Sequence, residues 1–248
     1  MSYLFTVSPD FTPDHLSGWY IFNTWLQRQS NTAIHLEMYG DFHTQREVIK
    51  RDQVDIIYAN PFDAAMLVRE KNFRPLVKAQ GVSDEAIIAV SVNNSIADIA
   101  NLSPGVKVAI TEDPDVNMMG MIMLEAGDLD SRNIQTHVCD TYVMVAKNLL
   151  NGDADIGIFL AEAYDDLSNM IKKQLKILVR SQISVIHHSL MIGPKLADRW
   201  AEIQQLLVSM NQDVKGKDVL KSLGFEAWIK VDDEEMEFMI DLMDALAT

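Results

Sequence analysis

The sequence predicts an α/β fold, and three observations carry that expectation. Runs such as Val54-Asp55-Ile56-Ile57-Tyr58 and Asp155 to Leu160 are mostly apolar, as strands covered on both faces are. Between such runs lie segments whose apolar residues recur at three- and four-residue steps, the period of an amphipathic helix. The alternation runs almost the full length, with no internal repeat, low-complexity stretch or Gly/Ser linker to interrupt it. Strand-helix alternation of this kind implies parallel sheets with right-handed crossovers, whose ligand crevice lies at the carboxyl ends of the strands.

Taken in order, Tyr3 to Val7 reads as the first strand, and Ser8-Pro9-Asp10-Phe11-Thr12-Pro13 as the turn that leaves it. From Asp14 to Gln29, Leu16, Trp19, Phe22, Trp25 and Leu26 share one helical face. Ala33 to Tyr39 alternates and predicts a strand. A short helix over Gln45 to Lys50 precedes the strand Val54 to Tyr58. Pro61 suits the first turn of the next helix, Phe62 to Glu70. Arg74 to Ala79 and Glu85 to Val92 read as strands. The middle of the chain repeats the rhythm: helix Ser95 to Leu102, strand Val106 to Thr111, helix Val116 to Ala126, strand Ile134 to Cys139. Thr141 to Leu150 is a helix that Asn151-Gly152 stops in the left-handed region. Strand Asp155 to Leu160 and helix Ala161 to Met170 follow, then strands Leu175 to Val179 and Ser184 to Ile192. Lys195 to Met210 and Lys217 to Leu223 are helical, Gly224 closes the second of these, and Trp228 to Val231 is a strand. Asp232 to Glu235 opens the last helix, where acidic residues complement the dipole.

Composition sets the outer bounds. With 248 residues, 48% of them hydrophobic and 23% charged, the chain has room for two modest lobes or one large domain around a real core. The formal charge of −15 repels phosphate backbones, which argues against nucleic acid and anionic membranes as partners. No stretch reaches the roughly 18 apolar residues a membrane span needs. The N-terminus lacks the basic start and apolar length of a signal peptide. The expected compartment is therefore cytoplasmic if the chain is native as given, or periplasmic if an export signal has been removed. A single cysteine, Cys139, excludes an internal disulfide and any multi-cysteine metal site.

Three segments resemble the phosphate/phosphonate type of ABC-transporter substrate-binding protein, a branch of the two-lobed type II periplasmic-binding fold. Val54-Asp55-Ile56-Ile57-Tyr58-Ala59-Asn60-Pro61 is similar to that family's strand and turn "DIAY-x-x-P". Asn151-Gly152-Asp153-Ala154-Asp155 is similar to its "NG-x-VD", and Gly216 to Phe225 to its "G-x-x-VL-x-x-LGF" ending. The resemblance covers nearly the whole chain. It implies two lobes facing each other across a cleft, the first of residues 1–82 plus 185–248 and the second of 83–184.

The family's ligand pattern is altered here. An anion is gripped there by a Ser/Thr-rich turn at a helix N-terminus after an Asp-Pro pair, where free N–H groups and the dipole favour negative charge. The corresponding segment is Thr111-Glu112-Asp113-Pro114-Asp115-Val116-Asn117-Met118-Met119-Gly120. Asp113-Pro114 and Gly120 match, but the hydroxyls are gone and Asp115 is added. The family's tyrosine after the second strand is Phe42, its tyrosine-rich turn is Ser83-Asp84-Glu85, and its histidine falls near Thr141 or Tyr142. The expected ligand-binding residues are accordingly Ser8, Phe42, Tyr58, Asn60, Asn117, Thr141 and Tyr142. Each has a plainer reading beside it: Asn60 as a structural turn residue, and Asn117 and Thr141 as helix caps.

Other features weigh toward structure. His187-His188 on a regular strand point to opposite faces and cannot share one metal. Met118, Met119, Met121 and Met123 read as core rather than as a soft-metal surface. Cys139 is either an activated thiol at a helix start or, more simply, a buried inert one. The chain is therefore expected to close around a small polar or anionic ligand other than phosphonate, with an ABC permease or a sensor as partner, and with no cofactor and no metal. The alternative is a cytoplasmic enzyme on the same fold, similar to those of menaquinone or thiamine-precursor biosynthesis, with Asp41, Glu112, Asp113, Asp115 and Glu162 as candidate acids and bases.

Overall fold

In a computed structural model of the protein, residues 2–10 and 15–247 are described, the side chains of 244–247 excepted. The chain forms two compact units: Met1–Ser83 with His187–Thr248, and Asp84–Ile186. It passes from one unit to the other twice, at Ser83–Asp84 and at Ile186–His187.

The first unit is built on a six-stranded sheet of order β11-β4-β10-β3-β1-β2. Its strands are β1 (Tyr3–Val7), β2 (Ile34–Leu36), β3 (Ile56–Ala59), β4 (Arg74–Ala79), β10 (Ser189–Ile192) and β11 (Trp228–Lys230). β1 pairs in parallel with β2 and β3, while β10 is inserted antiparallel between β3 and β4. Alternation along the strands sends Phe5, Val7, Ile56, Tyr58, Leu190 and Ile192 to one face. There they meet Trp19, Phe22 and Leu26 of α1 (Leu16–Ser30), Ile203 and Leu207 of α8 (Trp200–Val208), and Val219 and Leu220 of α9 (Val214–Ser222). Ile57, Ala59 and Met191 turn to the other face, the side of α2 (Phe42–Lys50), α3 (Pro61–Lys71) and α10 (Asp233–Ala247).

The second unit carries a five-stranded sheet of order β7-β6-β8-β5-β9. The strands are β5 (Ala86–Ser91), β6 (Lys107–Ile110), β7 (Gln135–Val138), β8 (Ile156–Leu160) and β9 (Leu175–Arg180). β6 pairs in parallel with β7 and β8, and β5 lies antiparallel between β8 and β9. One face packs on α5 (Tyr142–Asn151), α6 (Ala161–Asp165) and the short α7 (Asn169–Lys172) through Ile87, Ala109, Val145, Leu149, Phe159 and Tyr164. The other face meets α4 (Pro114–Leu124), where Gly120 sits hard against Ile158: an added Cβ would lie 2.7 Å from the Ile158 Cγ2.

Several elements depart from the sequence expectation for identifiable reasons. Residues 95–102 were expected as a helix and yield only a 3₁₀ turn, Ile99–Asn101. Asn94 Oδ1 accepts from Ile96 N and Asp98 Oδ1 from Ala100 N, so local side-chain bonds hold the backbone out of a helix. The helix expected over Ala161 to Met170 is broken in two, because Ser168 caps α7 through Ile171 N. The strand expected over Ser184 to Ile192 is confined to β10; Ser184 adopts φ 59° and its N–H is held by Glu85 Oε1 at 2.7 Å. Lys195 to Met210 begins as a 3₁₀ segment, Pro194–Arg199, before α8. Phe11 to Asp14, in the expected turn and helix start, lie outside the described residues. Thr141 and Gly152 do bound α5 as cap and left-handed stop, with φ 77° at Gly152.

Glu85 also accepts from Ser181 Oγ and from Ile183 N at 3.1 Å, fastening the returning chain to the outgoing one inside the second unit. Replacing Gly120 with Ala tests the seating of α4. Helix propensity favours Ala by about 1 kcal/mol, whereas forcing a methyl into packed Ile158 costs about 1–3 kcal/mol. The clash is expected to win, lowering the urea midpoint; an unchanged or raised midpoint would show that α4 can shift freely.

Candidate functional site

In each unit the direction of the crossovers reverses between two neighbouring strands. From β1 the chain passes through α1 to β2 on one side, and from β3 through α3 toward β4 on the other. β6 and β8 stand in the same relation, leading to β7 and β9. Such a reversal opens a crevice at the carboxyl ends of the strands, so the candidate groups are those that follow β1 and β3, and those that follow β6 and β8.

After β1 and β3 the side chains form one continuous hydrogen-bonded chain. Asn60 is the N-cap of α3, its Oδ1 accepting from Asp63 N at 2.7 Å. Its amide donates to Ser8 Oγ at 3.1 Å and to Asp63 Oδ2 at 3.0 Å. Asp63 is gripped by Arg46, at 2.7 Å from Nε and 3.2 Å from the second nitrogen. The Arg46 guanidinium lies over the rings of Phe42 and Phe62, at 5.2 and 5.0 Å. Ser8 bonds in turn to Asp10, whose carboxylate is 4% exposed and 3.1 Å from His188 Nε2. Burial alone would raise the Asp10 carboxyl. The His188 charge and the hydrogen bonds from His188 and Ser8 outweigh it and hold the group below the usual aspartate range. The His188 ring stacks on Tyr58 at 5.2 Å, and Tyr58 packs against Trp19, Phe225 and Trp228.

After β6 the backbone turns into α4 with Asp113 as cap, its Oδ1 accepting from Val116 N at 3.3 Å. The other carboxylate oxygen accepts from the Tyr142 hydroxyl at 2.9 Å. Asp115, in the first turn, is 1% exposed. Asn117 donates its amide to Thr111 O at 2.7 Å. Thr141 caps α5 through Met144 N at 3.3 Å.

Of the residues read from the sequence, the first unit thus joins Ser8 directly to Asn60, and sets Phe42 and Tyr58 at the two ends of the network, against Arg46 and His188. The second joins Tyr142 to the start of α4, two positions before Asp115, with Asn117 one turn on and Thr141 beside Tyr142 in sequence. Among the candidate acids, Asp41 is the exposed N-cap of α2, accepting from Thr44 N at 2.7 Å. Asp113 serves as a cap likewise. Asp10, His188, Arg46 and Asp63 were not among the expected ligand-binding residues. Asp10 stood inside the predicted turn after β1, so the strand-end rule was signal enough for it. His188 carried none, being 178 positions away.

The features weighed toward structure differ in outcome. His187 and His188 lie in irregular chain just before β10, not on the regular strand expected of them, and go to separate partners: Ser189 Oγ at 3.2 Å and Glu235 at 3.5 Å for the first, Asp10 for the second. Cys139 is buried, and burial, then the Asp140 charge, push its thiol up, which suits an inert group. Of the four methionines expected in the core only Met119 is there, while Met118, Met121 and Met123 are half-buried.

Two parallel-led α/β units, each with polar groups gathered at its strand ends, define a small-molecule binding protein of the periplasmic-binding class. The model of the family described as "ABC transporter, phosphonate, periplasmic substrate-binding protein" matches residues 5–236, and the chain belongs to that family. No curated protein sequence matches it. Among solved structures it is similar to PhnD1 from Prochlorococcus marinus (MIT 9301) in complex with methylphosphonate, at 12% identity and TM-score 0.82, covering 99% of this chain and 98% of that one. XAC2383 from Xanthomonas citri bound to chloride ion is similar at 14% identity and TM-score 0.81, over 99% and 98%. The periplasmic aliphatic sulphonate binding protein SsuA from Escherichia coli aligns at 12% identity and TM-score 0.67, over 99% and 86%. At these identities the likenesses speak for the fold. No helix among the described residues is long and apolar enough to cross a membrane.

The Asp10–His188 pair predicts an acid limb in stability. A folded-state pKa below the ordinary 3.8 means the unfolded chain takes up the proton first. The pair's stabilisation is therefore present above that value and lost as pH falls through the lower, folded one. Urea midpoints measured down this range are expected to fall more steeply for the wild type than for Asp10→Asn. Parallel slopes would refute the contribution.

Proposed function

We propose that this member of the family binds a small polar ligand of low or no negative charge, and not a phosphonate dianion. The start of α4 carries the reading. A bound anion needs uncommitted N–H groups and small hydroxyls there. Here Asp113 occupies the Val116 N–H with its own carboxylate, Asn117 gives its amide to Thr111 O, and Asp115 buries a second carboxylate in the same turn. A unit charge 4 Å from a like charge costs about 4 kcal/mol at an effective dielectric constant of 20, close to a thousandfold in affinity. A ligand presenting ammonium, amide or hydroxyl donors meets acceptors at the same turn instead. Ser8, Phe42, Tyr58 and Asn60 in the first unit, and Asn117, Thr141 and Tyr142 in the second, are the positions proposed to face it. As the family's description concerns periplasmic proteins of ABC transporters, delivery to a permease in that compartment is the proposed role.

Thermal shift and calorimetric titration of the full chain test the reading. Methylphosphonate is expected to leave Tm unchanged, whereas a panel of small amines, amino acids and polyols should contain a ligand whose addition raises Tm with concentration. Asp115→Asn should raise methylphosphonate affinity at least about tenfold, as removing one nearby like charge requires. Tight methylphosphonate binding by the wild type, unaltered in Asp115→Asn, would overturn the proposal.

A further inference from the structure

The sheet of the second unit ends on β7, and that edge is unguarded. All four residues of the strand, Gln135-Thr136-His137-Val138, are exposed, and none is charged, Pro or Gly. Folded proteins usually blunt such an edge with Lys, Pro, a bulge or a very short strand. The other sheet edges among the described residues follow that rule: β9 carries Lys176 and Arg180, while β2 and β11 have three residues each and β11 ends on Lys230. In a chain of net charge −15 most of the surface repels a second copy, and this uncharged edge is where that repulsion is weakest.

The existing ladder fixes how a second copy would pair. Gln135 N donates to Val106 O at 2.9 Å and Cys139 N to Ile110 O at 2.7 Å, so residues 135, 137 and 139 spend their backbone groups on β6. Thr136 and Val138 therefore turn their N–H and C=O outward. Two β7 strands laid antiparallel satisfy these groups about a two-fold centred on His137, each Thr136 exchanging both bonds with Val138 of the second copy. The two His137 residues then form a non-hydrogen-bonded pair, with Cα atoms about 4.5 Å apart. The flanks suit this direction. Arg132, 88% exposed, precedes the strand with its charge already paired to Asp130, and the exposed Asp140 follows it, so the antiparallel arrangement keeps the two Asp140 carboxylates at opposite ends of the pair. A parallel arrangement would put like against like. At the same end Val138, Val143 and Met144 are 54%, 44% and 40% exposed, apolar surface that association would cover.

We propose that the β7 edge is a self-association surface, two copies joining β7 to β7 antiparallel about His137 to make one continuous sheet. Sedimentation velocity on the full chain over rising concentration is expected to show a species of twice 28.0 kDa. Thr136→Pro removes an outward N–H while leaving the bonds to β6, and His137→Glu sets two carboxylates face to face. Each is expected to weaken the dimer at least about tenfold, the equivalent of 1.4 kcal/mol, with the far-UV circular dichroism unchanged. A wild type that stays monomeric at its highest soluble concentration overturns the proposal, as does a dimer that persists in both variants. So does a monomer whose edge takes up an extended peptide and loses it in Thr136→Pro.

Discussion

The reversal of crossover direction beside β1 and beside β6 is the constraint on which the rest of the structure depends. A parallel pair cannot be closed by a tight turn, so each strand must hand the chain to a helix that crosses the sheet. Where two neighbouring strands send their helices to opposite sides, nothing covers the strand tips between them. In the first unit that gap is bordered by Ser8 and Asn60, and in the second by Thr111, Asp113 and the start of α6. Polar side chains are required at these places because the backbone leaves a ladder there and enters a helix, exposing N–H groups without internal partners. Asn60 and Asp113 meet that requirement, capping helices at the strand ends that border each gap.

In the first unit the polar groups brace one another. Asn60, Ser8, Asp10 and His188 bond in series, and Asp63 with Arg46 closes the other end. Buried charges are retained at tolerable cost only when paired and hydrogen-bonded. Asp10 has a histidine and a hydroxyl, and Asp63 has a forked guanidinium that two phenyl rings hold in place. The network ties β1, β3, β10, α2 and α3 together at one end of the sheet, so a change in any member is felt by elements far apart in sequence. His188 in turn stacks on Tyr58, which continues into the aromatic packing of Trp19 and Trp228. Polar rim and apolar core thus share a wall.

Much of this was legible in the sequence, and the boundary between what was and was not is physical. Parallel strands such as β3 and β8 announce themselves because burial on both faces makes them apolar without alternation. Caps are local, which is why Thr141 and Gly152 bound α5 where the pattern placed them. The 95–102 segment misled because Asn94 and Asp98 offer the backbone local bonds that a periodicity argument does not weigh. Strand pairing is another matter. That β10 enters antiparallel between β3 and β4 depends on residues more than a hundred positions apart, and the same distance hid His188 from Asp10. Ser8 and Asn60 were found by the strand-end rule, whereas their mutual hydrogen bond was not. Phe42 was singled out for a missing hydroxyl, when its ring serves as a platform for Arg46.

At the start of α4 the capping Asp113, which the family's pattern shares, and the added Asp115 surround the same few donors. The first turn of a helix has a fixed number of N–H groups without intrahelical partners, and a capping carboxylate and a bound anion compete for them. A Ser or Thr cap accepts one bond and adds no charge, leaving the dipole's field to the ligand. Asp113 accepts the same bond but brings a full negative charge, and Tyr142 steadies that charge with its hydroxyl. Asp115 then adds another carboxylate within the turn, buried away from water. Such a helix start is more stable as a helix start, since carboxylates in the first turn complement the dipole. What makes α4 a better helix therefore makes it a worse anion site, while the scaffold around it is preserved.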